Sequence, residues 1–383
     1  MPSLQEQFLL DPDIVFLNHG SYGATPRPVF ETYQGWQRRL ERQPVLFLGR
    51  EFNSLIKESR QALGKYLNAD GEDLVYIPNA THGANIIAHS LDLRPGDEVL
   101  TTDHEYGACD YAWEYNCKRS GAKYVRQSLP LPLRSEDEIT GQYLSGITPR
   151  TRALYFSHIT SSTALRLPVR EICCRARELG LLTIVDAAHS PGQIPVDLAD
   201  LDADIVFGNC HKWMLAPKGS AFLYMRPAVQ ALVEPLIVSW GYNPTPEAAT
   251  GSRFLDLLQW TGTKDPCAAL SVPAAIQFME ANDWETVRSR CHDLLRQALE
   301  RIASLTGMPP VVPLDSKFYE LMAVAPLPFM DPVALKNRLY DEHKIELPVI
   351  VWQDQLFIRI SVQAYNDQSD IDALLHALTI LFT

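Results

Sequence analysis

No apolar run in this chain approaches the ~20 residues that a membrane-spanning helix needs, so a spanning helix is not expected. The seven cysteines (Cys109, Cys117, Cys173, Cys174, Cys210, Cys267 and Cys291) are odd in number and scattered, without a C-x-x-C or other paired spacing. They read as reduced thiols of a cytoplasmic protein, not as a zinc site or a disulfide framework. The ten histidines form no convincing helical H-x-x-x-H pair, so no metal site is expected. No G-x-G-x-x-G follows an early strand, which removes the dinucleotide-binding reading. Positive charge is short: 34 Lys and Arg against 46 Asp and Glu give a net charge of −12. That balance argues against nonspecific binding to nucleic acid or an anionic membrane, but leaves room for a local basic pocket. Residues 1–7 lack the basic and apolar regions of a secretory signal. There is no internal repeat and no low-complexity tract.

What is present is apolar substance: 46% of 383 residues, enough for a sizeable core in about two domains. Residues 74–77, 98–102, 122–126, 152–157, 181–185, 204–207 and 220–225 read as short strands, with helical patterns at 51–67, 79–90 and 169–179. Such alternation predicts an α/β domain with a mainly parallel sheet covered on both faces. The proline- and acid-containing stretch 129–148 reads as surface. The composition changes after Pro235: a Gly/Pro/Thr-rich loop at 241–252, one long helical segment at 273–302, and a linker at 307–313. Strands near 319–325 and 357–361 then alternate with helices near 332–341 and 369–381, as in a smaller α+β domain. The division is drawn at 21–255 for the large domain and 256–383 for the small one, with 1–20 joining the small domain and the active-site loop.

Several side chains stand where such a sheet presents chemistry. Lys212 follows an apolar run that stops at Gly208, between His211 and Trp213. A lysine held against apolar surroundings becomes a better amine nucleophile, as Schiff-base chemistry requires; a strand-end cation reaching for water fits the same pattern. Asp186 ends another apolar strand, with His189 three residues on, and a carboxylate there is costly without a cationic partner. Asn79 caps a helix whose start carries the small Ala80 and Gly83 and the hydroxyl of Thr81; this makes either an anion site or a plain capped helix. Tyr106 follows strand 98–102, at the end where ligands gather, and either lies against a planar ring or is structural. Asn18 and His19, in a small-residue loop, face a ligand or satisfy the turn. Arg359 sits inside an apolar strand and demands an anion: a ligand carboxylate or an acid of the chain.

Together, Asn18-His19-Gly20-Ser21-Tyr22-Gly23, Val185-Asp186-Ala187-Ala188-His189, Gly208-Asn209-Cys210-His211-Lys212-Trp213, Trp260-Thr261-Gly262-Thr263 and Arg359-Ile360-Ser361 resemble, in order and spacing, the fold-type I pyridoxal phosphate enzymes. The nearest likeness is to the class V aminotransferase family and its isopenicillin N epimerase-like branch, from Asn18 to about Ile371. The resemblance implies pyridoxal 5′-phosphate as cofactor, held covalently by Lys212, which also moves the α-proton. It places Asp186 at the pyridine nitrogen, His189 beside the ring oxygen and Tyr106 on the ring face. Ala80 and Thr81 would cradle the phosphate, with Asn209 and His211 adding donors. Thr263, in the segment 260–265, would reach the partner's phosphate, which implies a homodimer with composite sites. Arg359 would clamp the substrate carboxylate, with Asn18, His19 and Ser161 around it. Ser161 stands where desulfurase relatives carry asparagine, and no cysteine follows Cys291, so persulfide chemistry on this chain is not expected.

The implied function is that of a pyridoxal phosphate enzyme acting at the α-carbon of an amino acid or an amino-acid-bearing substrate, by epimerisation or transamination. A C–S β-elimination lyase is the alternative, and a non-catalytic cofactor- or nucleotide-binding protein is the reading from a different class. Epimerisation needs a second proton group, for which His19 and Tyr22 are the candidates.

Overall fold

The computed structural model describes residues 4–246 and 248–382; residues 1–3, at the start of the stretch read for a signal, lie outside them. Among the described residues, twelve strands form three sheets: β1 (Val15–Phe16), β2 (Leu74–Ile77), β3 (Glu98–Thr102), β4 (Lys123–Gln127), β5 (Thr151–Ser157), β6 (Leu182–Asp186), β7 (Ile205–Asn209), β8 (Ala221–Met225), β9 (Met322–Leu327), β10 (Ile345–Glu346), β11 (Val349–Trp352) and β12 (Gln355–Ser361). The main sheet has seven strands in the order β2-β8-β7-β6-β5-β3-β4, and only β8 runs against its neighbours. This is the mainly parallel sheet the alternation predicts.

The middle strands β6 and β7 are nearly all buried residues without polar alternation, because both faces are covered. Val185 and Val206 join one core with Ile172 of helix Val169–Glu178, while Ile184, Ile205 and Phe207 join the other with Ala84, Ile87 and Trp113. Chain order reverses between β3 and β5. In a parallel sheet such a reversal opens a crevice at the carboxyl ends of the strands.

The second sheet, β11-β12-β9, is antiparallel. The N-terminal segment is tied to this region: Val15 pairs with Ile345, Phe16 with Glu346, and Asn18 bridges to Ser361. Among the described residues, no helix is long and apolar enough to cross a membrane.

Three local expectations change. Stretch 129–148 contains a helix, Glu136–Leu144, capped by Ser135 and burying Ile139 and Tyr143; its acidic first turn, favourable at a helix N-terminus, disguised it as surface. The long segment at 273–302 is two helices, Val272–Ala281 and Trp284–Thr306, broken where Asp283 takes φ +46°. The division at residue 256 falls inside helix Arg253–Gln259. The helices that follow, through Ala281, pack against Arg27–Arg42 and Phe52–Leu67, so we propose the break at Asp283 as the better division.

Candidate active site

Four parallel neighbours, β3, β5, β6 and β7, deliver their carboxyl ends to one edge of the sheet. Tyr106 lies four residues past β3, Ser161 four past β5, Asp186 is the last residue of β6, and Lys212 stands three past β7. Arg359 arrives from β12 of the second sheet.

The turn bearing Lys212 is clasped from two sides. A Cβ at Gly23 (φ +70°) would lie 2.2 Å from the His211 carbonyl oxygen, and one at Gly192 (φ +89°) 2.1 Å from that of Trp213. Only glycine permits such approach with such backbone angles. His19 adds a third restraint. Its Nε2 donates to the Lys212 carbonyl at 3.0 Å, leaving Nδ1 to accept from the Tyr365 hydroxyl, also at 3.0 Å. Burial brings His19 down to about 3, so this ring is neutral.

Lys212 itself is half-buried. Protein crowds its amine, so desolvation first, and then the charge of Arg359, bring its pKa down from 10.5 to about 8, against the opposing pull of Asp186 and Cys109. Its Nζ lies 3.2 Å from His189 Nε2. On its far side the His189 ring accepts at Nδ1 from the indole N–H of Trp213, 3.2 Å away.

The other charges of the cleft are met by neutral groups. Asp186, buried, accepts from Ala188 N (2.8 Å), the Tyr155 hydroxyl (3.4 Å) and Cys109 Sγ (3.7 Å). Burial pushes its carboxyl up, and Ala188 N–H and Lys212 pull it back. Arg359, also buried, donates to the Ser161 carbonyl at 2.5 Å and to the Ser21 hydroxyl at 3.2 Å. Among the described residues, no acid takes the place expected of a chain partner, and its buried Nε has no protein partner. Tyr106, half-exposed, feels Tyr22, Asp186 and Arg359 electrostatically, though burial is the main cause of its raised pKa.

At the start of helix Ala80–Ser90, Asn79 caps His82 N (2.9 Å) and Asn209 Oδ1 takes the Ala80 amide (2.9 Å). The amide and hydroxyl of Thr81 are left outside these caps. His211, lowered to about 4 chiefly by burial, binds the Ser220 carbonyl through Nδ1 at 2.9 Å.

The fold therefore brings Lys212, Asp186, His189, Tyr106, Ser161 and Arg359 to one edge of the sheet, linked by hydrogen bonds or electrostatics, with Asn209 touching the Ala80 end. Asn18 and His19 are engaged within the chain. Asn18 donates to Glu346 (2.9 Å) and accepts from Ser21 (2.6 Å), so it steadies the serine that steadies Arg359. His19 is fully buried with both ring nitrogens used, which disposes of it as a second proton group. Thr263 is exposed, in a loop whose neighbours Thr261 and Lys264 line a small space with Ile77, Pro78 and His82.

Four contributors escaped the sequence reading: Tyr155 and Cys109 on Asp186, Ser21 on Arg359, and Trp213 on His189. Only Trp213 left a legible signal, since a buried indole N–H needs an acceptor. Glu105 is a fifth. Buried beside Asp186, it accepts from Thr102 Oγ1 (2.6 Å), Ser157 N (3.2 Å) and Ser157 Oγ (2.5 Å), and burial pushes its carboxyl up to about 8.

Comparison with known proteins gives the family and the fold. The profile of the family described as Aminotransferase class-V matches residues 23–374. An isopenicillin N epimerase of Amycolatopsis lactamdurans is 36% identical over 385 residues, covering 98% of this chain and 96% of that protein. A probable chloroplastic L-cysteine desulfhydrase of Arabidopsis thaliana is 28% identical, covering 96% and 83%. Among solved structures, a lysine-to-alanine mutant of C-DES with glycine covalently linked to its PLP cofactor superposes with a TM-score of 0.83 at 22% identity, covering 99% of each chain. The Escherichia coli cysteine desulfurase CsdA gives 0.82 at 21% identity, covering 99% and 97%. Matched by the family profile over most of its length and across nearly all of the epimerase, the chain belongs to the class V aminotransferase family, whose cofactor is pyridoxal 5′-phosphate.

Proposed function

We propose that this chain works at the α-carbon of an amino acid or an amino-acid-bearing substrate, with Lys212 as cofactor anchor and proton carrier. One observation carries the reading: Arg359 and Asp186 both lie within electrostatic range of Lys212, while the hydrogen-bond partners of all three are neutral groups.

These residues fit pyridoxal phosphate. Asp186 lacks a cation among its hydrogen-bond partners, and a protonated ring nitrogen supplies one. Thr81 at the helix start, Asn209, which meets the Ala80 amide from the end of β7, and His211 two residues on would offer donors for the phosphate. The buried unpartnered Nε of Arg359 suits a carboxylate. Held by these residues, the cofactor would supply an aldehyde for amines and an electron sink for the carbon beside the amine nitrogen.

The chain's own residues then divide the work. Arg359 holds the substrate carboxylate, steadied by Ser21 and Ser161. Lys212, near the pH of its own titration, takes the α-proton at Nζ as free amine and returns it as ammonium. Asp186 would hold negative charge for the ring nitrogen, and Tyr106 would cover the ring. With His19 committed to the Lys212 carbonyl, Tyr22, 75% exposed and within electrostatic range of Tyr106, is the candidate left for proton transfer on the other face.

We favour epimerase-type chemistry, supported by the 36% identity to isopenicillin N epimerase. β-Elimination is the second reading, supported by the desulfhydrase relatives. We also propose a homodimer in which Thr263 reaches the partner's phosphate. The exposed Val238 and Trp240 (66% and 83%) support a covered face in that assembly. Seven unpaired cysteines support the cytoplasmic placement.

A panel of L- and D-amino acids incubated with holoenzyme in deuterated water separates the reactions. Deuterium at Cα with loss of chirality marks an epimerase, a keto acid with aminated cofactor a transaminase, and pyruvate with released thiol a lyase. Borohydride should leave a pyridoxyl mass on Lys212, and Lys212→Ala should lose both turnover and that adduct. Turnover that survives Lys212→Ala overturns the assignment.

A further inference from the structure

We propose that Trp213 is a positioning residue: its indole N–H fixes His189 in the tautomer protonated at Nε2, so that His189 presents a donor to the amine of Lys212. This rests on the reading of Lys212 as the reactive amine, and extends it by naming what keeps that amine free.

An indole nitrogen can only donate. Trp213 is fully buried, and its Nε1 meets His189 Nδ1 at 3.2 Å. A nitrogen that accepts carries no hydrogen, so the single proton of a neutral imidazole must sit on Nε2. His189 is neutral because it is buried, with Lys212, Arg359, His19 and His211 all opposing its protonation. Its Nε2 is 3.2 Å from Lys212 Nζ. An ammonium there would set donor against donor, whereas a free amine offers its lone pair to the Nε2 hydrogen. The contact therefore favours the amine.

The rings have little freedom to change partners. Trp213 packs against the His19 ring with centroids 4.9 Å apart. Its carbonyl abuts Gly192, where any Cβ would collide. The His189 carbonyl is held by Gln193 Nε2 at 2.7 Å. The remaining titratable groups that act on Lys212 are Arg359, which opposes its ammonium, and Asp186 and Cys109, which favour it. None of these is altered by changing Trp213.

Trp213→Phe keeps an aromatic ring and removes the hydrogen. Nδ1 is then free to take the proton, and Nε2 to accept from an ammonium. The titration midpoint of Lys212 should rise by about one pH unit, the tenfold effect of losing one net hydrogen bond. It is read in apoenzyme, from the pH dependence of Lys212 acylation by acetic anhydride, followed by peptide mass spectrometry. In a His189→Phe background the same Trp213→Phe change should produce no shift. An unchanged midpoint in Trp213→Phe, or an equal shift in both backgrounds, overturns the proposal, the latter because Trp213 would then act through packing alone.

Wild-type apoenzyme labelled with ¹⁵N-histidine gives a test that needs no folded Trp213 variant. The His189 signals, assigned by their loss in His189→Asn, should show a pyrrole-type Nε2 and a pyridine-type Nδ1; the reverse pattern refutes the tautomer. Both measurements are made without cofactor. Failure of the functional reading would show separately, as absence of a pyridoxyl mass on Lys212 in the wild type.

Discussion

Replacing Arg359 with methionine keeps most of its stem and removes its charge. Two consequences follow from the geometry. The guanidinium is buried, and beyond its bonds to Ser161 and Ser21 it has a spare Nε. A carboxylate bound there gains charge-assisted hydrogen bonds worth about 1.5–3 kcal/mol each. Losing two of them costs about 3–6 kcal/mol, or on the order of 10²–10⁴ in kcat/KM. Arg359 also depresses Lys212, which titrates near 8 instead of 10.5. Without it the midpoint of the apoenzyme amine should move up, though only part of the way, because burial is the larger cause. The assay compares an amino-acid substrate with the corresponding amine that lacks the carboxylate. The amino acid should lose nearly all of the calculated factor. The amine should change little beyond what the Lys212 shift imposes at the assay pH. If both substrates lose equally, or neither does, Arg359 does not bind the carboxylate.

Asp186→Asn keeps the shape of the carboxyl and its bond from Ala188 N but removes the charge; kcat/KM should fall about 10–100-fold at saturating cofactor, the equivalent of one buried charged hydrogen bond, and full retention of rate would remove Asp186 from the ring nitrogen. Glu105→Gln tests the second buried carboxyl. Its pKa in the fold is raised from 4.5 to about 8, so the unfolded chain ionises first, and wild-type stability falls as pH climbs through that interval and levels beyond it. The melting temperature of Glu105→Gln relative to wild type should therefore rise between pH 5 and pH 8.5, by at most the equivalent of on the order of 5 kcal/mol. A difference that does not depend on pH would place the ionisation of Glu105 outside that range.

Much of the site was legible because it is written in local pattern. Asp186 and Lys212 each follow an apolar run, and Asn79 stands before a helix with small residues at its start. Strand ends and caps are decided within a few residues, by side-chain alternation and backbone satisfaction, so they survive in one dimension. Arg359 was legible for the opposite reason: a permanent charge inside an apolar strand violates its own surroundings.

What the sequence by itself determined was the mainly parallel sheet and the strand ends that carry Asp186 and Lys212; it also set the buried charge of Arg359 in an apolar strand. Tertiary structure alone decided which groups answer them. Tyr155 meets Asp186 across adjacent strands, Ser21 reaches Arg359 over 338 residues of chain, and His19 turns from the cleft to hold the Lys212 carbonyl across 193. The same holds for His189, whose tautomer depends on an indole 24 residues away. A residue's period along the chain fixes which face it shows. Its hydrogen-bond partner depends on strand order, register and the packing of the second sheet, and none of these is encoded within a single segment.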